Sequence, residues 1–417
     1  MNRLIKAGAR SGQIEVPPSK AYAHRMLICA AFADKKSSIL CDGISDDIMS
    51  TIRCLSALGA GIDLGGGRIR IEPIGTKRLC GKAELYCGES GATLRFLMPI
   101  VGALGADAVF HLEGRLPKRP LTALAEELKA HGMNIERDGD RIFCSGQLRA
   151  GSYRIDGGVS SQFASGLLLA LPLLDGDSEI CIEGDLVSVP YIEMTLDVLR
   201  RAEADIRGNG RVFEVVGGRR YGAFRDETTP RDWSSAAAFL CMGALSEEGI
   251  TVAGMDTNSK QGDMEIVDIL RKFGAEIEVS GGLITARRGG LRGQVVDAAD
   301  IPDLVPVLSA VAAAAEGETR IVNAGRLKYK ESDRLIASAD MLRALGADIE
   351  ATGDGLVIVG KPRLEGGSVN SAGDHRIAMA AAVAACACRG DVEIIGAECV
   401  GKSYPDFWND FETLEVL

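Results

Sequence analysis

A short pattern returns at nearly even spacing through the whole chain and sets the class of fold. It is a leucine, a second residue three places on that is apolar or small in four of the five cases, and then Gly-Ala or a close variant. It stands at Leu55–Leu58–Gly59–Ala60, Leu128–His131–Gly132, Leu199–Ala202–Glu203–Ala204, Leu270–Phe273–Gly274–Ala275 and Leu342–Leu345–Gly346–Ala347. The second residue of each falls at 58, 131, 202, 273 and 345, in steps of 73, 71, 71 and 72. A glycine after an apolar helical run is a C-terminal cap, which Glu203 breaks once. After each ending come alternating residues: Ile69 and Ile71, Ile142 and Cys144, Phe213 and Val215, Leu283 and Thr285, Leu356 and Ile358. With glycine-rich turns before them, these read as β-hairpins.

A second helix recurs with the same period. It starts near Ser19-Lys20, Ser90-Gly91, Ser160-Ser161, Asp232-Trp233-Ser234, Pro302-Asp303 and Asp374-His375-Arg376. Each start opens a run of Ala, Leu, Met and Val that is apolar on most sides, so these helices belong inside a domain. Six units of about 70 residues fill 417 residues. The last helix, about 405–415, has no hairpin after it, whereas Arg3 to Val16 reads as a hairpin with no helix before it. The N-terminal segment is therefore expected to complete the last repeat. That gives a central domain over 19–227 and a terminal domain over 1–18 and 228–417, with crossings near Pro17-Pro18 and Thr228–Pro230 and a site in the cleft between them. An open repeat array is the alternative. Helices buried all round, and ends that lack polar caps, argue against it.

The net charge of −11 argues against a general binder of nucleic acid or acidic membrane. Any anion site must be a local basic pocket. Eleven cysteines with no Cys-x-x-Cys pair read as small buried apolar residues in a reducing compartment. The four histidines, His24, His111, His131 and His375, have no ligand spacing, so no metal site is expected. No apolar run is long enough to span a bilayer, and a cytoplasmic protein is expected.

Chemistry collects at the helix starts. Small residues there, such as Ser160, Ser161 and Gly91, leave backbone N–H groups open to an oxyanion. Lys20, Arg25, Arg95 and Arg376 add charge at or near these starts, and Arg119 and Lys402 add more from the other helix class. The run Lys330-Glu331-Ser332-Asp333-Arg334 opens an apolar-periodic helix, with Ser332 or Asp333 as its N-cap. On a helix Lys330 and Arg334 would share a face. Any one of these residues has an ordinary structural reading: a cap, a solvated charge, a buried arginine at Arg95, a packed histidine at His375. The set does not, because cations at helix N-termini oppose the dipole unless an anion sits in front of them. A small polyanion is the expected ligand.

These motifs resemble those of the 5-enolpyruvylshikimate-3-phosphate synthases, within the enolpyruvyl transferase family. They are Ser19-Lys20 with His24-Arg25, Gly88 to Arg95, Lys118-Arg119-Pro120, Ser160 to Phe163, Ser188 to Tyr191, Ile301-Pro302-Asp303, Lys330 to Arg334, Gly373 to Arg376 and Gly401 to Asp406. The resemblance runs the length of the chain, in order. It implies an α/β fold of two domains, an inside-out α/β barrel made of six βαβαββ repeats, three per domain. It implies transfer of the enolpyruvyl group of phosphoenolpyruvate to the 5-hydroxyl of shikimate 3-phosphate, by a monomer without metal or cofactor. Carried over by motif, Lys20, Ala21, Arg25, Ser160, Ser161, Gln162, Ser188, Tyr191, Asp303 and Lys330 face shikimate 3-phosphate. Lys20, Gly91, Arg119, Gln162, Arg334, Arg376 and Lys402 face phosphoenolpyruvate. Asp303 resembles the base for the hydroxyl, Glu331 the group handling the proton at the methylene carbon, and Lys20 joins them as the catalytic lysine. His375 and Arg95 are further candidates.

Three positions depart from the family pattern: Ala21 stands where a serine is usual, and Glu89 and Ala92 stand where asparagine and threonine are usual. One lost hydroxyl contact is worth about 1 kcal/mol. That weakens binding without changing the reaction. The sister enzyme that acts on UDP-N-acetylglucosamine usually has a reactive cysteine before the arginine-proline, and Glu113 to Pro120 contains none. A non-catalytic scaffold leaves Asp303 and Lys330-Glu331 unexplained.

Overall fold

The computed structural model describes residues 1–75 and 82–417. The chain divides into two compact units, Met1–Pro17 with Pro230–Leu417 (the terminal unit) and Pro18–Thr229 (the central unit). Each has its own hydrophobic core. The divisions fall one and two residues from those expected. The second moves because Thr228 pairs with Leu40 and the Thr229 N–H donates to the Leu40 carbonyl, which ties both threonines to the central unit.

Six helices are buried along nearly their whole length: Lys20–Ala31, Gly91–Leu104 and Ser161–Ala170 in the central unit, and Trp233–Ala244, Val305–Ala312 and His375–Ala385 in the terminal unit. Small side chains let them approach closely. Pro99, inside Gly91–Leu104, cannot donate to the carbonyl of Arg95, four residues back. Gly166 of the neighbouring helix lies against that carbonyl, where a Cβ would come within 2.3 Å of the oxygen. Any larger residue at 166 would force the two helices apart.

Outside them, among the described residues, lie six sheets, three per unit. The second repeat shows the plan. Ala83–Gly88 runs parallel to Ala108–Leu112 across an inner helix, and the hairpin Met133–Asp138 and Arg141–Gly146 pairs antiparallel to the latter. Alternation puts Ile142 and Cys144 on the core side. In the fourth repeat the phase is one residue off that expected: Ile284 and Ala286 are buried, and Leu283 is exposed.

Each unit closes on itself by borrowing strands. In the central unit, Arg225–Thr228, at the end of the third repeat, runs parallel to Ser37–Leu40 of the first. In the terminal unit, Asn2–Ile5 pairs antiparallel with Val392–Ile395 of the last repeat, in the place of its hairpin. The N-terminal segment is not itself a hairpin, however. Arg10–Glu15 leaves for another sheet, parallel to Ile250–Ala253 of the fourth repeat. Ile5 on the first strand and Ile14 on the second are both buried, so each strand satisfies its apolar face in a different sheet. The last helix is shorter than expected, Phe407–Thr413, because Glu415–Val416 extends to pair with Arg10 and Ser11.

Eight of the ten described cysteines are buried and all ten are free thiols, so they pack as small apolar groups; Cys80 lies outside the described residues. Among the described residues, no helix is long and apolar enough to cross a membrane.

Candidate active site

In the central unit the candidate residues gather around Arg25. It is one turn into its helix and buried. Its Nε donates to Thr195 Oγ1 at 2.7 Å, one terminal nitrogen donates to the Ala21 carbonyl at 2.7 Å, and the other donates to the Tyr191 carbonyl at 3.0 Å and Ser165 Oγ at 3.5 Å. Arg25 thereby ties its own helix to Ser161–Ala170 and to Val189–Arg201. Burial is the larger influence on its guanidinium and draws it down to about 10, against the pull of Tyr191, Tyr22 and Cys29. Ser160 caps the third inner helix, its Oγ accepting from the Gln162 N–H at 3.3 Å. Ser161 is buried beside it. Ser188 precedes Val189–Arg201 with a left-handed backbone (φ 57), an uncommon conformation for serine. Lys20 Nζ stands 2.8 Å from Asp47 Oδ2.

A second group in the same unit joins Gly91, Arg95, Arg119 and Gln162. Arg95 donates to Gln162 Oε1 at 2.8 Å and to the Pro120 carbonyl at 2.9 Å, pinning the loop that carries Arg119. A Cβ on Gly91 would lie 2.6 Å from one Arg95 nitrogen and 2.9 Å from one of Arg119. Gly91 is therefore required for both guanidiniums to pack over the helix start. We expect Gly91→Ala to fold but to displace both arginines and to weaken the binding of a small anion at this helix start about tenfold or more, corresponding to about 1.4 kcal/mol. An unchanged affinity, read by calorimetric titration, would show that neither arginine meets the anion. The carboxylate of Glu89 packs against Gly114.

In the terminal unit the residues meet on Arg334, which is 2% exposed, the first residue of helix Arg334–Ala344. Its Nε donates to Asp374 Oδ2 at 2.8 Å, one terminal nitrogen to Asp303 Oδ1 at 2.7 Å, and the other to Glu331 Oε2 at 2.9 Å and Asp374 Oδ1 at 3.3 Å. Three further cations surround the same carboxylates. Lys330 Nζ is 3.5 Å and an Arg376 terminal nitrogen 3.8 Å from Asp303, and Lys402 Nζ is 3.6 Å from Glu331. Asp333 is the N-cap of the helix, accepting from the Ile336 N–H. Lys330 precedes the helix in extended conformation, so it does not share a helical face with Arg334; the two meet through Asp303 instead. Asp303 itself lies in the turn before Val305–Ala312, because Pro302 and Asp303 do not enter that helix. His375 is buried beside Asp374, its Nδ1 3.7 Å from Oδ1.

Burial opposes the charge on Asp303, but Lys330, Arg334 and Arg376 outweigh it and hold the carboxyl well below the usual range. Burial likewise opposes the charge on Arg334, and Asp374, Glu331 and Asp303 together more than reverse that effect. Among the described residues, no three His, Cys, Asp or Glu side chains form a set of metal ligands.

Three partners were not legible from the motifs: Asp374 as the buried counterion of Arg334, Asp47 beside Lys20, and Asp263 near Arg376. Asp374 stands at a helix start and its only sequence signal was that of a cap, a role it also fills through the Arg376 N–H at 3.0 Å.

The family model for EPSP synthase (3-phosphoshikimate 1-carboxyvinyltransferase) matches residues 5–411. The chain is 42% identical over 407 residues to the 3-phosphoshikimate 1-carboxyvinyltransferase of Clostridium kluyveri, covering 97% of this chain and 95% of that protein. It is 40% identical over 408 residues to the protein of the same name from Clostridium acetobutylicum, with 97% and 95% covered. A solved EPSP synthase from Acinetobacter baumannii superposes with a TM-score of 0.80 at 27% identity, covering 100% of this chain and 99% of that one. A chain matched over nearly its whole length by this family's model, and sharing its α/β architecture, belongs to the EPSP synthase (3-phosphoshikimate 1-carboxyvinyltransferase) family.

Proposed function

We infer that this chain transfers the enolpyruvyl group of phosphoenolpyruvate to the 5-hydroxyl of shikimate 3-phosphate, releasing phosphate. The observation that carries the reading is the match to the family over residues 5–411, at the positions where Lys330, Arg334, Arg376 and Lys402 gather around Asp303 and Glu331. Both substrates bring a phosphate and a carboxylate. Their negative charges must be neutralised before they can meet.

In the addition step the 5-hydroxyl loses its proton to Asp303, its oxygen bonds to C2 of phosphoenolpyruvate, and C3 takes a proton from Glu331. In the elimination step Glu331 recovers a proton from the new methyl group as the double bond reforms, and phosphate leaves C2 with the proton that Asp303 had accepted. An ion-paired Asp303 is a weak base. Incoming phosphates compete for Lys330 and Arg376, and as those cations turn to substrate the proton affinity of Asp303 rises when a base is needed. Glu331 gains in the same way as Lys402 turns to substrate. We assign Arg119, Arg376 and Lys402, with the backbone at Gly91, to phosphoenolpyruvate. Lys20, Ser160, Ser161, Gln162, Ser188 and Tyr191 are assigned to shikimate 3-phosphate. The internal hydrogen bonds of Arg25 and Arg334 support the reading that these two hold the site's frame as well as meeting anions.

The test is phosphate release from phosphoenolpyruvate with either acceptor. Release with shikimate 3-phosphate and not with UDP-N-acetylglucosamine supports the reading; the reverse assigns the sister reaction, and release with neither leaves a scaffold. We also propose a cytoplasmic monomer, for which light scattering should return a mass near 44.0 kDa.

A further inference from the structure

The terminal unit buries a carboxyl group that the reaction above does not use. Asp263 lies in the turn Gly262–Glu265, 3% exposed. Ser234 Oγ donates to its Oδ2, while Oδ1 is buried with no hydrogen-bond partner among the described residues. Ser234 is also the link to the site, because its backbone carbonyl accepts from an Arg376 terminal nitrogen at 3.0 Å. The other terminal nitrogen of Arg376 faces Asp303 Oδ2 at 3.8 Å. Asp263, Ser234, Arg376 and Asp303 thus form a line from the buried turn to the proposed base. They come from four segments of the fold.

We propose that Asp263 is a positioning residue whose carboxyl, by gaining or losing one proton, sets how strongly Arg376 is held inside the protein and hence how well it binds phosphoenolpyruvate. The proposal rests on the reading of Arg376 as a phosphoenolpyruvate-facing residue. The groups facing Asp263 are Asp303, Arg376, the Ser234 hydroxyl and Asp232. Burial first, and then the charge on Asp303, push its carboxyl up to about 7, with Asp232 adding to them and Arg376 and Ser234 opposing. Asp303, in contact with three cations, is pushed the other way. Two neighbouring carboxyls driven apart like this divide the roles of proton holder and fixed anion. When Asp263 is neutral, Arg376 answers to Asp303, to Asp232 and to an incoming anion. Once ionised, Asp263 adds a further internal anion that competes for the guanidinium and repels substrate.

Asp263→Asn mimics the neutral form with little change of shape. The readout is KM for phosphoenolpyruvate from pH 5.5 to 8.5, taken as the ratio of wild type to variant, since ionisation of the substrate affects both alike. We expect a ratio near one at the acid end, rising roughly threefold to tenfold at the alkaline end, with kcat little changed. Ser234→Ala removes a hydrogen bond that favours the ionised form and should move the midpoint of the rise to higher pH. This second variant tests the idea even if Asp263→Asn folds poorly. A wild type that releases no phosphate sinks the reading of the reaction and this proposal with it. An active wild type with a constant ratio, or a Ser234→Ala midpoint that does not move, sinks this proposal alone.

Discussion

Asp303→Asn should fold and bind both substrates but turn over about 10²- to 10⁴-fold more slowly, the usual contribution of a positioned general base. The side chain is 18% exposed and touches Arg334 and Lys330, so the amide can keep the shape while losing the ability to take a proton. The decisive measurement is kcat at saturating substrates. A rate within tenfold of wild type would remove Asp303 from proton transfer and leave it as a counterion for the three cations. The same carboxyl links pH to stability. Its pKa is depressed in the folded protein, so the stability it contributes is fully present above the unfolded value of about 3.9. That contribution is lost as pH falls below this value through the folded one.

Arg334→Met should destabilise the terminal unit by about 3–5 kcal/mol, because it removes the partner of a fully buried carboxylate at Asp374. It also frees Asp303 and Glu331 from their shared anchor, so activity should fall with stability. Denaturant unfolding followed through the two tryptophans, Trp233 and Trp408, both in the terminal unit, reads the first effect. The double variant Arg334→Met with Asp374→Asn should recover part of the loss, since the uncompensated charge is then gone. A double variant no more stable than Arg334→Met would show that the cost lies in lost packing. Arg334→Lys should recover little, because one ammonium cannot serve three carboxylates in fixed directions.

The near-even spacing of the helix endings, and apolar runs at six helix starts, were enough for six repeats in two halves. Burial on all sides is a compositional property, and composition is local. The caps at Ser90, Ser160, Asp232, Asp333 and Asp374 follow from the same local chemistry. Less legible was the path of the N-terminal segment. The two strands Asn2–Ile5 and Arg10–Glu15 look like a hairpin in isolation, and only the open edges at Val392–Ile395 and Ile250–Ala253 draw them into different sheets. The phase of Leu283–Arg287 was likewise read one residue off, since both of its faces carry apolar residues.

The same division holds for the site. Residue types at helix starts marked where anions belong, because the dipole and the free N–H groups of a helix N-terminus come with the helix wherever it is placed. Which cation is a fixed bolt and which is available to substrate depends on partners far away in the chain. Arg25 meets Ser165, Tyr191 and Thr195, and Arg334 meets Asp303 and Asp374. Nothing in the sequence marks Asp263; only the fold brings Ser234 to its carboxyl and Arg376 to the Ser234 carbonyl. A charge acquires its proton affinity from burial and neighbours, and both come into being only when distant segments pack.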